Sequence, residues 1–399
     1  MITATIIFLG TYLVLALGRL PGFRVDRTGA AIIGASLMVA FNILSLKEAY
    51  ASIDYNTIIL LFGMMIVVAN LRLSGFFAAV SEWVVEHAHH PLTLLASIIL
   101  VSGAFSAFFV NDTMCLVLTP LVLEIALTLK RNPIPYLLAV AMASNVGSVA
   151  TITGNPQNMM IGIFSGIPYR EFAAKLAPVA AVGLILTFAV IAILYHQEFR
   201  KSDSVVLERR PIRVNQVLMW KSLTASALML LFFFIGWPIA KVALVTGAML
   251  LITRRVKPEK IYHEIDFSLL VLFTGLFIVI AGIEKTPLTS NALAFVSGYS
   301  LDKPAVLSAV AAILSNLVSN VPAVLIFKPL VPHLTNPKSA WLILAMASTL
   351  AGNLTVLGSV ANLIVIQRSR RDATISFWEY FRVGLPLTAI TITVGVLLL

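Results

Sequence analysis

A single cysteine among 399 residues leaves no partner for an internal disulfide and no thiol set for a cysteine-rich metal site. Charge is scarce too. Asp, Glu, Lys and Arg make up 12% of the chain, against about 25% in a soluble domain. No HExxH, GxSxG, Walker A or glycine-rich dinucleotide loop is present. The signatures of metalloproteases, serine hydrolases, nucleotide hydrolases and dinucleotide enzymes are therefore missing. We expect no enzyme activity and no cofactor. Without an ATP site, any work the chain does would have to draw on an ion gradient, of Na⁺ or H⁺, and not on ATP. Alternating strands of the transmembrane β-barrel type are absent as well.

What the chain has instead is apolar length. Hydrophobic residues make up 59% of it, in recurring runs of about 20 residues, the length that a bilayer core of roughly 30 Å demands. These runs predict an all-α polytopic membrane protein, with spans at 3–19, 28–44, 56–71, 134–166, 172–196, 218–236, 238–253, 267–284, 339–367 and 381–399. The segments 91–129 and 303–335 are read as re-entrant hairpins that enter and leave on one side. The first segment has no positive n-region and no small-residue cleavage site, so it reads as a retained helix.

The net charge of +10 invites a nucleic-acid reading, but its distribution argues against one. With both termini outside, most of the 28 basic residues fall on one face, which the positive-inside rule assigns to the cytoplasm. Arg27, Arg72, Lys130, Arg131 and Arg254 are among them. The expected partners are the lipid bilayer and a small-molecule or ionic substrate, in a plasma membrane, by default a bacterial inner membrane.

The chain also repeats itself. AFSAFFVNDTMCLVLTPLV (104–122) aligns with ILSNLVSNVPAVLIFKPLV (313–331), placing Asn111 on Asn320. AMASNVGSVATITGNPQN (141–158) aligns with AMASTLAGNLTVLGSVAN (345–362), placing Gly154 on Gly358 and Asn158 on Asn362. DYNTIILLFGM (54–64) and YREFAAKLAP (169–178) echo DFSLLVLFTGL (266–276) and FWEYFRVGLP (377–386). Each half reads as three spans, a hairpin, a broken span and a final span. That is five crossings, so the second half is inverted. The boundaries are 1–196 for the first inverted-topology repeat (hairpin 91–129, broken helix 134–166), 197–217 for a cytoplasmic linker, and 218–399 for the second repeat (hairpin 303–335, broken helix 339–367). Residues 72–88 read as an amphipathic helix at the interface, with Phe76, Phe77, Val80, Trp83 and Val84 toward lipid and a weaker counterpart at 287–299.

Polar breaks repeated inside apolar spans point to the binding site of a secondary transporter, because broken backbone is tolerated in a membrane only where it is buried or lines a cavity. Helix N-termini after the breaks can face an anion, and freed carbonyls and Asn or Thr oxygens can hold a hard cation. The candidate substrate residues are Asn111, Thr113, Asn155, Asn158, Asn320, Ser359 and Asn362. The candidates for the coupling ion are Asp112, Thr153, Gly154, Ser319, Thr355 and Gly358. A carboxylate at mid-bilayer is costly and marks function by default, although Asp112 could also serve as a helix cap. Asp54 and Asp266 read as helix caps, and the EHAHHP stretch at 86–91 as a solvated loop end.

The motifs NDTMCLVLTPLV, SNLVSNVPAV, TGNPQN and GSVANLIVIQ resemble the ion transporter superfamily. That group holds ArsB-type arsenite permeases, NhaD-type sodium/proton antiporters, the pigmentation P protein and the divalent anion/sodium symporters. The first hairpin's Asn111-Asp112 followed by Leu118-Thr119-Pro120, and the Asn320-Val321-Pro322 of the second, are similar to ArsB-like permeases. The resemblance implies a homodimer in which a transport domain of hairpins and broken helices moves against a scaffold, elevator-fashion. The leading expectation is proton-coupled efflux of arsenite or antimonite. The alternatives are a sodium- or proton-coupled carboxylate or sulfate symporter, a sodium/proton antiporter and, outside transporters, an ion channel.

Overall fold

The computed structural model describes residues 2–20, 22–87, 90–200, 214–286 and 301–399. Most of the expected linker, the second interfacial helix and part of the histidine cluster lie outside these residues. The first half runs α1 (Ile2–Leu17), α2 (Arg27–Ala40), the short α3 (Leu46–Ser52), α4 (Tyr55–Leu73), α5 (Phe76–His87) and the hairpin arms α6 (Pro91–Phe108) and α7 (Asn111–Thr128). It continues with α8 (Pro133–Ser148) and α9 (Pro156–Ser165), joined through a 3-10 turn at Ile152–Gly154, and ends with α10 (Tyr169–Leu194). After the small α11 (His196–Phe199), the plan repeats as α12 (Gln216–Ile235), α13 (Ile239–Leu251), α14 (Pro258–Tyr262) and α15 (Phe267–Glu284). The second hairpin is α16 (Pro304–Val318) and α17 (Asn320–Phe327). α18 (Pro337–Ala351) and α19 (Val360–Ser369) meet at the turn Val356–Gly358, and α20 (Phe377–Leu398) closes the chain.

Matched residues start matched helices. Asp54 and Asp266 accept from Thr57 N and Leu269 N at 2.8 and 3.0 Å, which is N-capping. Asn132 and Asn336, each followed by a proline in the first turn, cap α8 and α18 through Ile134 N and Ser339 N, both at 3.1 Å.

Seven described helices are long and apolar enough to cross a membrane: α4, α6, α7, α10, α12, α15 and α20. Two of these are hairpin arms. The spans expected at 28–44 and 238–253 form helices of only 14 and 13 residues. At about 1.5 Å per residue these helices alone fall short of a full crossing.

The inversion shows in the ties at the helix ends. Arg72, at the end of α4, pairs with Glu264, just before α15. Glu48, before α4, pairs with Lys285, after α15, at 2.6 Å. The start of each helix is thus tied to the end of the other, so the two run in opposite directions.

The halves interlock. Gly63 sits on α4 as Gly275 sits on α15, each nine residues after its capping aspartate. A Cβ at Gly63 would lie 2.6 Å from the Ala243 backbone on α13, and one at Gly275 would lie 2.8 Å from the Ala31 backbone on α2. Ala31 and Ala243 occupy the same place in their own helices. Each half therefore lays one helix against the backbone of the other, as small residues permit in membrane proteins.

Helices α8 and α18 form the centre. α8 is buried continuously from Pro135 to Ser148, and α18 from Ala340 to Ala351. A helix apolar all round is a core helix. The interfacial reading of α5 needs correction. Phe77 and Val84 are only 1% and 3% exposed, and the Phe77 ring packs edge-on against Phe105 of α6 at 5.5 Å. Trp83 remains exposed. The hairpin arm supplies the apolar partner that the sequence reading gave to lipid.

Candidate functional site

Each hairpin starts a new helix with asparagine at its tip. In the first, Phe109 and Val110 turn the chain without any positive φ. In the second, Ser319 makes the turn alone at φ 76°, ψ 159°, a region that disfavours a residue with a Cβ. Asn111 and Asn320 open α7 and α17, and Pro322 lies in the first turn of the latter.

The broken spans carry a matched pair of clips. Asn158 Nδ2 donates to the carbonyls of Ser148 and Thr151 at 3.0 and 3.1 Å. Asn362 Nδ2 donates to the equivalent carbonyls of Gly352 and Thr355 at 2.6 and 3.0 Å. Ser148 and Gly352 offer carbonyls at the ends of the central helices, and Thr151 and Thr355 offer carbonyls that also accept from Gly154 N and Gly358 N in the turns. A buried carbonyl left unpaired would be costly. Thr151 ties its break to Ala107 O of α6, and Thr355 ties its own to Asn316 Oδ1 of α16, at 3.1 Å in the second case. Thr153 Oγ1 meets the Tyr169 hydroxyl at 2.8 Å.

The two halves then cross-connect. Asn145, deep in α8, accepts at Oδ1 from Asn111 Nδ2 (3.0 Å) and Ser359 Oγ (3.1 Å). Its Nδ2 donates to Asn353 Oδ1 (2.9 Å) and Asn362 Oδ1 (3.0 Å). All four amide positions are filled. Its repeat partner Thr349 accepts at Oγ1 from Asn155 Nδ2 and Gln157 Nε2, both at 3.1 Å. The first residue after each break therefore reaches the other half's central helix. The Asn320 amide, with its nitrogen toward the Gly358 and Ser348 carbonyls at 3.0 and 3.1 Å, presents its oxygen to Gln157 Nε2 at 3.2 Å.

Where the two tips approach, a cleft of about 60 Å³ opens, half-enclosed. Asn111, Asp112, Gln157, Asn320 and Ser359 supply its polar lining, and Arg27 stands at its edge. Asp112 is partly buried, and the Ala361 backbone N–H faces its carboxyl group. Asn111 is 2% exposed, and its Oδ1 has no partner. On the opposite face, by Gly166, Arg170 and Trp237, lies a wider opening of about 620 Å³ whose wall includes Tyr169.

Of the residues expected from sequence, Asn111, Asp112, Ser319, Asn320 and Ser359 border the cleft. Asn155, Asn158 and Asn362 stand behind it, fully buried, holding the breaks and the central helices. Gly154 packs against Ser148 O, and Gly358 against Asn316. Thr113 is partly buried, within the first turn of α7. The sequence reading passed over Asn145, Thr349, Gln157 and Arg27. The first two were visible as a polar pair in the AMASN/AMAST register. Among the described residues no cluster of His, Cys, Asp or Glu could hold a metal ion.

Comparison with known proteins fits this geometry. The family described as citrate transporter matches residues 12–351. The chain belongs to that family. A silicon efflux transporter of Oryza sativa subsp. japonica is 29% identical, over 94% of this chain and 93% of that protein. An uncharacterised transporter of Mycobacterium tuberculosis is 30% identical, over 99% and 97%. A transporter named arsB in Dictyostelium discoideum is 24% identical, over 93% and 87%. The crystal structure of the Alcanivorax borkumensis YdaH transporter, described as having an unusual topology, superposes with a TM-score of 0.61 at 14% identity, covering 99% of this chain and 96% of that one. The protein is thus a multi-pass membrane protein and a secondary transporter of the citrate transporter family within the ion transporter superfamily, not an enzyme.

Proposed function

We propose that the protein is an ion-coupled exporter of a small oxygen acid, with arsenous and antimonous acids as the leading substrates and Asp112 as the carrier of the coupling proton. The observation that carries this reading is the cleft. It holds one carboxylate among amide and hydroxyl groups, and about 60 Å³ of space is room for a handful of water-sized groups at roughly 10–15 Å³ each. A three-oxygen acid fits that space, with hydrogen-bonding groups from the hairpin tips and breaks and apolar walls from Leu15, Leu272 and Phe273. The names of the silicon efflux and arsB relatives point the same way.

In this reading the substrate rests between Asn111, Asn320 and Ser359. The hairpins and broken helices move together against α1, α2, α4, α12, α13 and α15, exposing the site first on the arginine-rich cytoplasmic face and then on the outer one. The carrier works as a homodimer in the plasma membrane with both termini outside. Sodium in place of the proton is the variant in which the unpartnered Asn111 oxygen serves as a cation ligand.

A second reading, proton- or sodium-coupled symport of a carboxylate or sulfate, draws support from the family description and from Arg27 at the cleft. Flux into proteoliposomes under separately imposed pH and sodium gradients tests both. Proton-driven arsenite or antimonite movement that falls to background in Asp112→Asn is the expected result. Sodium-dependent flux of succinate, citrate or sulfate, with arsenite ignored, would replace the first reading by the second.

A further inference from the structure

The two charged residues of the cleft stand on different walls. Asp112 begins α7, which packs against α8 and α19. Arg27 begins α2, which packs against α1 and α15. Arg27 is tethered but not neutralised. Its Nε donates to Leu15 O at 3.1 Å, and no carboxylate forms an ion pair with it among the described residues. Its two terminal nitrogens remain available as a planar donor pair. Such a pair suits two oxygens of an oxyanion, and a lysine ammonium does not reproduce it. On the other wall Asn111 lines the cleft, with its own Oδ1 buried and unpartnered. A donor fork on one wall and the carboxylate, amide and hydroxyl side chains of Asp112, Asn320 and Ser359 on the other complement an acid that carries both an ionised and a protonated oxygen.

We infer that Arg27 is a specificity-determining residue of the substrate site, binding the ionised oxygens of a partly protonated oxyanion from the wall opposite the hairpin tips. This rests on the reading of the cleft as the substrate site, and not on the direction of transport or the driving ion. The bound species is then an anion, so this inference sides with the carboxylate or sulfate reading, or with the ionised form of an oxygen acid, and against neutral arsenous acid as the bound species. Because Arg27 lies on the wall that does not carry Asp112, it contributes only in the state in which the two walls meet at this cleft.

The test is binding to the purified full chain in detergent, followed by the thermal shift of tryptophan fluorescence at constant ionic strength. Sulfate, phosphate, succinate and citrate serve as anionic probes, and arsenite at neutral pH as the uncharged one. We expect at least one anion to stabilise the wild type saturably. Arg27→Gln should raise its half-saturating concentration by about tenfold or more, and Arg27→Lys by less, because charge survives and the fork is lost. Three results would overturn the inference: no anion stabilises the wild type; Arg27→Gln binds as the wild type does; or both variants merely lower the unliganded melting temperature without changing the half-saturating concentration, as a purely structural tie to Leu15 predicts. Arg27-dependent anion binding with no gradient-driven arsenite or antimonite flux would discard the export reading and leave Arg27 in place.

Discussion

The two halves share a framework and differ in chemistry. Asn158 and Asn362 clip equivalent carbonyls. Asn155 and Ser359 reach across to Thr349 and Asn145. At the tips the likeness ends. The first tip carries Asp112 where the second has Val321, and the second is turned by Ser319 at positive φ where the first has Val110 in an ordinary conformation. The first half also leaves buried oxygens without partners at Ser102, Ser106, Asn111 Oδ1 and Asn158 Oδ1. In the second half Ser315 bonds Ser348 O, and Asn362 Oδ1 accepts from Asn145. Duplicated backbone needs the same satisfaction twice. The second half has unpartnered buried hydroxyls of its own at Ser222, Ser226, Ser308 and Tyr380, but the carboxylate at the tip occurs once, so the two tips are not chemically equivalent.

The comparison can be broken most sharply at the glycines of the breaks. A Cβ at Gly154 would sit 2.1 Å from the Ser148 backbone oxygen, whereas one at Gly358 meets first the end of the Asn316 side chain at 2.8 Å. Gly154→Ala should cost about 3 kcal/mol, and Gly358→Ala about 1, because a side chain yields where backbone does not. Thermal unfolding of the two variants in parallel measures this, and equal losses would mean that the two breaks are equally rigid.

Next come the clips. Replacing either asparagine by leucine takes the side-chain donor from two carbonyls. Of these, Thr151 O and Thr355 O keep a bond from Gly154 N and Gly358 N, and Ser148 O keeps a long one from Asn155 Nδ2 at 3.4 Å. The cost should therefore be about 1–3 kcal/mol for a group left unsatisfied. Asn362→Leu should be the more damaging by about 1 kcal/mol, since it also removes the acceptor for Asn145, whereas Asn158 Oδ1 serves nothing. The reverse order would show that Asn158 Oδ1 has a partner in the working protein.

A smaller effect of opposite sign belongs to the tips. Ser319→Gly should stabilise by about 1 kcal/mol by relieving the positive φ, while Val110→Gly should only destabilise. If Ser319→Gly also slows flux, the strain serves the transport cycle.

The smallest effect is at the helix ends. The Lys285 ammonium, aided by Ser45, holds the Glu48 carboxyl down at about 2. A depressed folded-state value adds stability above the ordinary carboxylate range, and that stability disappears as pH falls from about 4.5 through 2. Lys285→Met should lower the melting temperature slightly at neutral pH, the difference from the wild type disappearing as pH falls from about 4.5 to 2, and the loss should be small because exposed pairs are weak.

Much of this was legible in the chain. The repeats, the capping aspartates and the positions of the breaks follow from polar residues in apolar surroundings, where each has few roles open to it. The cleft itself was legible only at its tips. Asn145 lies between alanines and a serine in a span that reads as core, and its importance comes from four partners that meet there only after folding. Arg27 reads as one more basic residue on a basic face, because sequence gives its depth and not its neighbours. The inward face of α5 was misplaced for a related reason. An apolar stripe shows that a partner exists, but Phe105 and lipid look the same from Phe77.

The glycine crossings at Gly63 and Gly275 bear on how the protein is made. During synthesis α4 enters the membrane before its partner α13 exists, and α2 waits longer still for α15. The first half must therefore lie in the bilayer with its small-residue grooves unfilled until nearly three-quarters of the chain has left the ribosome. Severing the chain between α11 and α12 would give two fragments, each holding half of both crossings. Neither should resist proteolysis alone, while the two expressed together should find each other.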